Sequence, residues 1–85
     1  METVWQGVLP GSFYGYKPGR VYELSDSTKW EQEDGTDEPV YCQHPTARLL
    51  NCPGMSGLYL DVEGAPVMVR VRKHGAEFRT NAGAV

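Results

Sequence analysis

Four side chains in this sequence are of the kind that hold a metal or attack a carbonyl: Cys42, His44, Cys52 and His74. A structural zinc site needs four ligands in tetrahedral reach, usually delivered by paired cysteine knuckles, and no such knuckle occurs here. Cys42 and His44 are two positions apart, so an extended backbone would place them on one strand face, as a thiol and its general base require. No third residue nearby orients the imidazole, and no substrate pocket is implied. The segment Asp34-Gly35-Thr36-Asp37-Glu38 offers oxygens for calcium without the ligand periodicity of an EF-hand, and reads as a solvated acidic loop. Serine triads, phosphate-cradling loops and zinc-protease motifs are absent. The sequence therefore assigns no catalytic residue, no metal and no cofactor.

Binding chemistry has more to stand on. Phe13, Tyr14, Tyr16 and Tyr22 lie close together, with Trp5, Trp30, Tyr41 and Tyr59 elsewhere. Phe13 and Tyr14 are adjacent, so strand alternation sends them to opposite faces and leaves one outward. Exposed aromatics grip peptides or stack bases. Phe13, Tyr14, Tyr16, Trp30 and Tyr41 form the expected partner-binding set. The competing reading is that most of them fill the interior of a domain too small to do without them.

A second set, Arg70, Arg72 and Lys73 with Arg79 beyond, makes a basic edge that would carry nucleic-acid binding. The same edge has a simpler use: it can pair with the acidic Glu31 to Glu38 segment, within one chain or between chains. The net charge is −3 and the pI about 5.2, which speaks against a dedicated nucleic-acid binder, since phosphate neutralisation calls for a basic excess or a strongly basic face.

The elements that position these residues read as strands. At 85 residues there is room for one hydrophobic core. Ten glycines and six prolines punctuate the chain at Pro10-Gly11, Lys17-Pro18-Gly19, Asp34-Gly35, Pro53-Gly54 and Glu63-Gly64-Ala65-Pro66, leaving no helical period over even three turns. Val67, Val69 and Val71 alternate with Met68, Arg70 and Arg72, and Leu58, Leu60 and Val62 share that period. The turn between the two runs makes them a hairpin. Leu58, Leu60, Val67, Val69 and Val71 are expected to converge inward. Ala47 to Leu50 adds a third strand, with Ala47 and Leu49 on one face and Arg48 and Leu50 on the other. In the first half, Val4 to Leu9 is a strand whose Gly7 implies a bulge or a close backbone approach. Arg20 to Leu24 and Lys29 to Gln32 form a hairpin, with Trp30 as a core anchor. Residues 1–72 are thus one all-β domain, a small SH3-like barrel of five to six short antiparallel strands, and residues 73–85 a C-terminal tail. Two cysteines are too few for a disulfide-stapled extracellular domain, so free thiols in a cytoplasmic protein are expected, with a Cys42–Cys52 bridge as the alternative. No apolar run approaches membrane-spanning length, and no membrane association is expected.

The run Gly15-Tyr16, Val21-Tyr22-Glu23-Leu24, Lys29-Trp30-Glu31-Gln32, Pro45-Thr46-Ala47-Arg48-Leu49 and Val62-Glu63-Gly64 resembles a group of small uncharacterised bacterial proteins, some carried as integron gene cassettes. The resemblance covers about residues 5–72 and implies the SH3-like fold. Those relatives carry a tyrosine-rich stretch where this chain has Glu33 to Glu38, so no role of that stretch carries over. The Val-Gln-Ile-Tyr strand motif of the small plasmid-borne dihydrofolate reductase, another barrel of this class, is absent; Val67-Met68-Val69-Arg70 is the nearest strand. The expectation is a non-catalytic interaction module that binds a protein or peptide partner or forms a homo-oligomer, most simply a dimer. Nucleic-acid binding through Arg70, Arg72 and Lys73 is the alternative, and a small-molecule enzyme with an inter-subunit site is a third class.

Overall fold

The computed structural model describes residues 1–74, which fold without a helix. Eight strands form in chain order: β1 (Glu2–Val8), β2 (Ser12–Phe13), β3 (Val21–Glu23), β4 (Lys29–Gln32), β5 (Cys42–Gln43), β6 (Thr46–Asn51), β7 (Leu58–Val62) and β8 (Met68–His74). Six of them make one antiparallel sheet in the order β1-β6-β7-β8-β4-β3, and β2 pairs with β5 in a separate ribbon. The all-β class is as expected. Neither sheet closes on itself, so among the described residues β1 and β3 are free edges where a closed barrel would have none.

Alternation sorts the sheet into two faces. Register places Trp5, Leu49, Leu60 and Val69 in one inward row and Leu58, Val71 and Gln32 in another. Leu9, Phe13, Tyr16, Tyr22, Leu24, Ala47 and Val62 complete the core, with Trp5, Trp30, Val40, Cys42 and Leu58 packed at its margin. At about 25 cal/mol per Å² of apolar surface, this single cluster is the main source of stability in a chain so short.

Four local expectations change. Val67 is 42 % exposed rather than inward, because pairing of β7 with β8 ends at Asp61 and Met68 and leaves Val67 in the connecting loop. Leu50, on the face opposite Leu49, is buried as well, and it lies outside the main cluster, as does Cys52. The irregularity of β1 falls between Thr3 and Trp5, not at Gly7. Gly7 instead lies under the Trp5 ring, where a Cβ would come within 2.6 Å of Cζ2. Finally, Lys73 and His74, expected in the tail, pair with Trp30 and Lys29 as the end of β8. Arg79 and the rest of the expected tail lie outside the described residues.

Candidate functional site

The acidic segment is ordered by internal hydrogen bonds, while Glu33, Gly35 and Asp37 remain exposed to solvent. Glu31 and Gln32 belong to β4, and Gln32 is a buried side chain at 2 % exposure. Its Nε2 donates to Asp34 Oδ1 at 3.0 Å and to the Thr36 carbonyl at 2.7 Å, while its Oε1 accepts from the Tyr22 hydroxyl at 2.6 Å. Asp34 Oδ1 also accepts from the Thr36 N–H, and Oδ2 from the Arg70 N–H at 2.9 Å. Burial alone would raise the Asp34 pKa; the hydrogen bonds from Arg70, Thr36 and Gln32 outweigh it, and the carboxyl sits below its ordinary value.

That loop brings its carboxylates to the basic strand. Arg70 Nε lies 3.4 Å from Glu33 Oε1, and Arg72 Nη2 lies 3.4 Å from Glu31 Oε1. His74 Nδ1 is 3.5 Å from the same Glu31 oxygen. Arg70 and Arg72 therefore face carboxylates of their own chain. Lys73 is exposed on the inward-row side of β8, in register with Trp30.

The five aromatic residues divide. Phe13 and Tyr16 are buried, their rings packed edge to face at 5.4 Å, and Tyr16 reaches the Val62 N–H at 3.2 Å. Both are core, with 4 % of Phe13 and 1 % of Tyr16 exposed. Trp30 is half-buried, its indole N–H donating to Thr28 Oγ1 at 2.9 Å. Tyr14 and Tyr41 are 64 % and 60 % exposed, and their rings lie side by side, centroids 5.5 Å apart and tilted by 47°. The Tyr41 hydroxyl is within 3.5 Å of Ser12 Oγ and accepts from Gln43 Nε2 at 3.2 Å, and these hydrogen bonds lower its pKa.

Tyr14 also walls a groove of about 340 Å³, lined by Leu9, Pro10, Ser12 and Phe13 on one side and by Arg20, Val21, Tyr22 and Glu23 on the other. It follows the free edge of β3. Antiparallel ladders alternate between pairs that exchange hydrogen bonds and pairs that do not. The Gln32 N–H donates to the Arg20 carbonyl and the Leu24 N–H to the Thr28 carbonyl, so the pairing of Tyr22 with Trp30 between them is of the bonded kind. The main-chain groups of Val21 and Glu23 therefore point away from β4, and both residues line the groove. Sequence reasoning missed this edge because strand order was needed to find it.

The four soft side chains are scattered. Cys42 packs at the core margin and Cys52 is buried, both as free thiols. His44 takes a left-handed backbone conformation, so the shared strand face expected for it and Cys42 does not form; its Nδ1 accepts from the Gly11 N–H at 3.2 Å. Among the described residues, no three of His, Cys, Asp and Glu gather as a metal site, and no helix is long and apolar enough to cross a membrane. No protein-family model, no curated protein and no solved structure matches the chain.

Proposed function

We propose that this protein is a non-catalytic interaction module, and that its binding surface is the groove beside β3 together with the Tyr14–Tyr41 pair. The observation that carries this reading is the pairing of two exposed tyrosine rings with an adjoining groove along an unpaired strand edge. Rings that stand in water, one of them held by Ser12 and Gln43, offer apolar area at small entropic cost on binding. The partner is a polypeptide rather than a nucleic acid, because Arg70 and Arg72 already face Glu33 and Glu31. The test is amide chemical-shift mapping with panels of short peptides. Shifts confined to residues 10–15, 20–23 and 41, abolished by Tyr14→Ala with Tyr41→Ala, are expected; no peptide-dependent shift, or shifts centred on β8, would overturn the reading.

A second reading, self-association, has its own observation. β1 is a seven-residue free edge with no Lys, Arg or Pro, and Val4 and Val8 are exposed along it. Proteins usually guard such an edge with charge or proline. Two copies could pair β1 to β1 about a two-fold axis. Light scattering at high concentration decides it: a dimer that Gln6→Pro dissociates supports the reading, and a monomer throughout removes it.

A further inference from the structure

Among the described residues, both walls of the groove carry main-chain groups that neither the sheet nor the ribbon pairs. On the β3 side these are the N–H and C=O groups of Val21 and Glu23, as the bonded pairs on either side require. On the β2 side the His44 N–H donates to the Gly11 carbonyl, and Ser12 and Phe13 are in register with Gln43 and Cys42. Gly11 and Phe13 therefore turn their hydrogen-bonding groups to β5, and Ser12, like Tyr14 by the same alternation, turns its groups away from it. Ser12 and Tyr14 also line the groove. The groove is thus a seam between the β3 edge of the six-stranded sheet and the β2–β5 ribbon. Unpaired groups on two facing strands are what one added strand satisfies.

We infer that this seam takes a single extended, basic peptide segment as an inserted strand, hydrogen-bonded to Val21 and Glu23 on one side and to Ser12 and Tyr14 on the other. The inference rests on the interaction-module reading and specifies its ligand. The lining balances Glu23 against Arg20, so it is the net −3 of the chain that favours a basic occupant. The exposed Glu23 lines the seam, the chain carries a net −3, and the one cation lining the groove, Arg20, has its Nη1 turned onto the Gly15 carbonyl at 2.9 Å. That guanidinium also bridges one end of the groove and limits the insert to a few residues. The tilted Tyr14 and Tyr41 rings present faces on which a lysine or arginine of the ligand rests. Inside the seam, Val21 and Pro10 favour apolar side chains at alternate positions of the insert.

The probe is an acetylated, amidated pentapeptide of alternating valine and threonine with one central arginine, compared with a copy N-methylated at two alternate amides and a copy in which glutamate replaces the arginine. On binding, the amides of Val21, Glu23, Ser12 and Tyr14 in the full chain should become protected from hydrogen exchange. N-methylation should weaken binding roughly tenfold or more, the cost of two lost hydrogen bonds, and glutamate should weaken it as well. If the peptide shifts Tyr14 and Tyr41 while the four amides exchange unchanged and N-methylation is tolerated, strand insertion is wrong and the binding surface stands. If the glutamate peptide binds as tightly as the arginine one, the basic preference is wrong. If neither this probe nor any other peptide binds, both readings fall together.

Discussion

The Tyr22 hydroxyl donates a 2.6 Å hydrogen bond to Gln32 Oε1 in the interior of the sheet. From that contact a continuous polar path runs outward: Gln32 Nε2 to Asp34 and Thr36, then Asp34 to the Arg70 N–H. It fastens the loop after β4 onto β8. The loop in turn positions Glu33 against Arg70, so the internal ion pairing of the basic strand depends on a buried amide.

Replacing that amide tests the dependence. Gln32→Leu keeps the volume of the side chain and strands the Tyr22 hydroxyl and the Thr36 carbonyl without their Gln32 partner, while Asp34 keeps its Thr36 and Arg70 N–H donors. Leaving two such groups unsatisfied costs about 2–4 kcal/mol, a large part of the stability of a domain this size. Urea unfolding should show the loss as a lower midpoint at unchanged slope. A change within about 0.5 kcal/mol, the range typical of surface substitutions, would mean that the loop holds itself without Gln32.

Asp34 gives the same path a pH dependence. Its folded pKa lies below the ordinary aspartate value, so the folded state binds fewer protons than the unfolded chain near that value. The contribution is fully present above the unfolded pKa and is lost as pH falls through the folded one. Urea midpoints should therefore drop between pH 5 and 3, a window on the order of one unit either side of an ordinary carboxyl. Asp34→Asn should be less stable at neutral pH and should show a shallower acid slope. An unchanged slope in that variant would assign the acid sensitivity elsewhere, for instance to Asp26, whose pKa is also lowered, chiefly by its hydrogen bonds from Thr28.

Much of this architecture is legible in the residues. Alternating Val69 and Val71 mark β8, Leu58, Leu60 and Val62 mark β7, and Glu63-Gly64-Ala65-Pro66 marks the turn between them. Period two tells which residues share a face, and leaves open what covers each face. Leu50 is the example: its parity opposite Leu49 is right, yet it is buried too. Phe13 and Tyr14 show the converse, because alternation requires one of them outward and the structure selects Tyr14. The site itself depends on two facts that local pattern does not contain. One is the strand order that leaves β3 at an edge. The other is the Asp34 and Gln32 bonding that turns a polar, acidic stretch into ordered structure.

Gly15 offers a backbone test of how the groove wall is held. Its φ is +103°, and a Cβ there would run into the Glu38 carbonyl and come within 2.7 Å of the Val40 nitrogen. The neighbouring Tyr16 and Glu38 exchange 2.9 Å hydrogen bonds in both directions. Gly15→Ala combines a disfavoured conformation with a backbone clash, and should cost about 2–4 kcal/mol. Gly19, also at positive φ but with open space around it, should lose only about 1 kcal/mol in Gly19→Ala. Equal losses in the two variants would show that conformation, not the approach of Glu38, sets the requirement.

Tyrosine ionisation reports the core from the alkaline side. Burial raises the Tyr16 pKa well above the ordinary tyrosine value, against the opposing hydrogen bond from the Val62 N–H, and burial raises that of Tyr22 too. A raised folded pKa means stability that is complete below the unfolded value of 10.0 and lost as pH climbs through the folded one. Ultraviolet titration should therefore find tyrosines that ionise only as the sheet unfolds, while the exposed Tyr41, its pKa lowered by Ser12 and Gln43, ionises early. Tyr16→Phe removes one late group and leaves the Val62 N–H without its acceptor, at a cost of about 1–2 kcal/mol at neutral pH. Because phenylalanine has no proton to lose, the variant's stability should fall less steeply above pH 10 than that of the parent. A variant whose alkaline slope matches the parent's would place the linked ionisation on Tyr22 alone, and would mean that the Tyr16 hydroxyl meets more water than its burial between β2 and β7 implies.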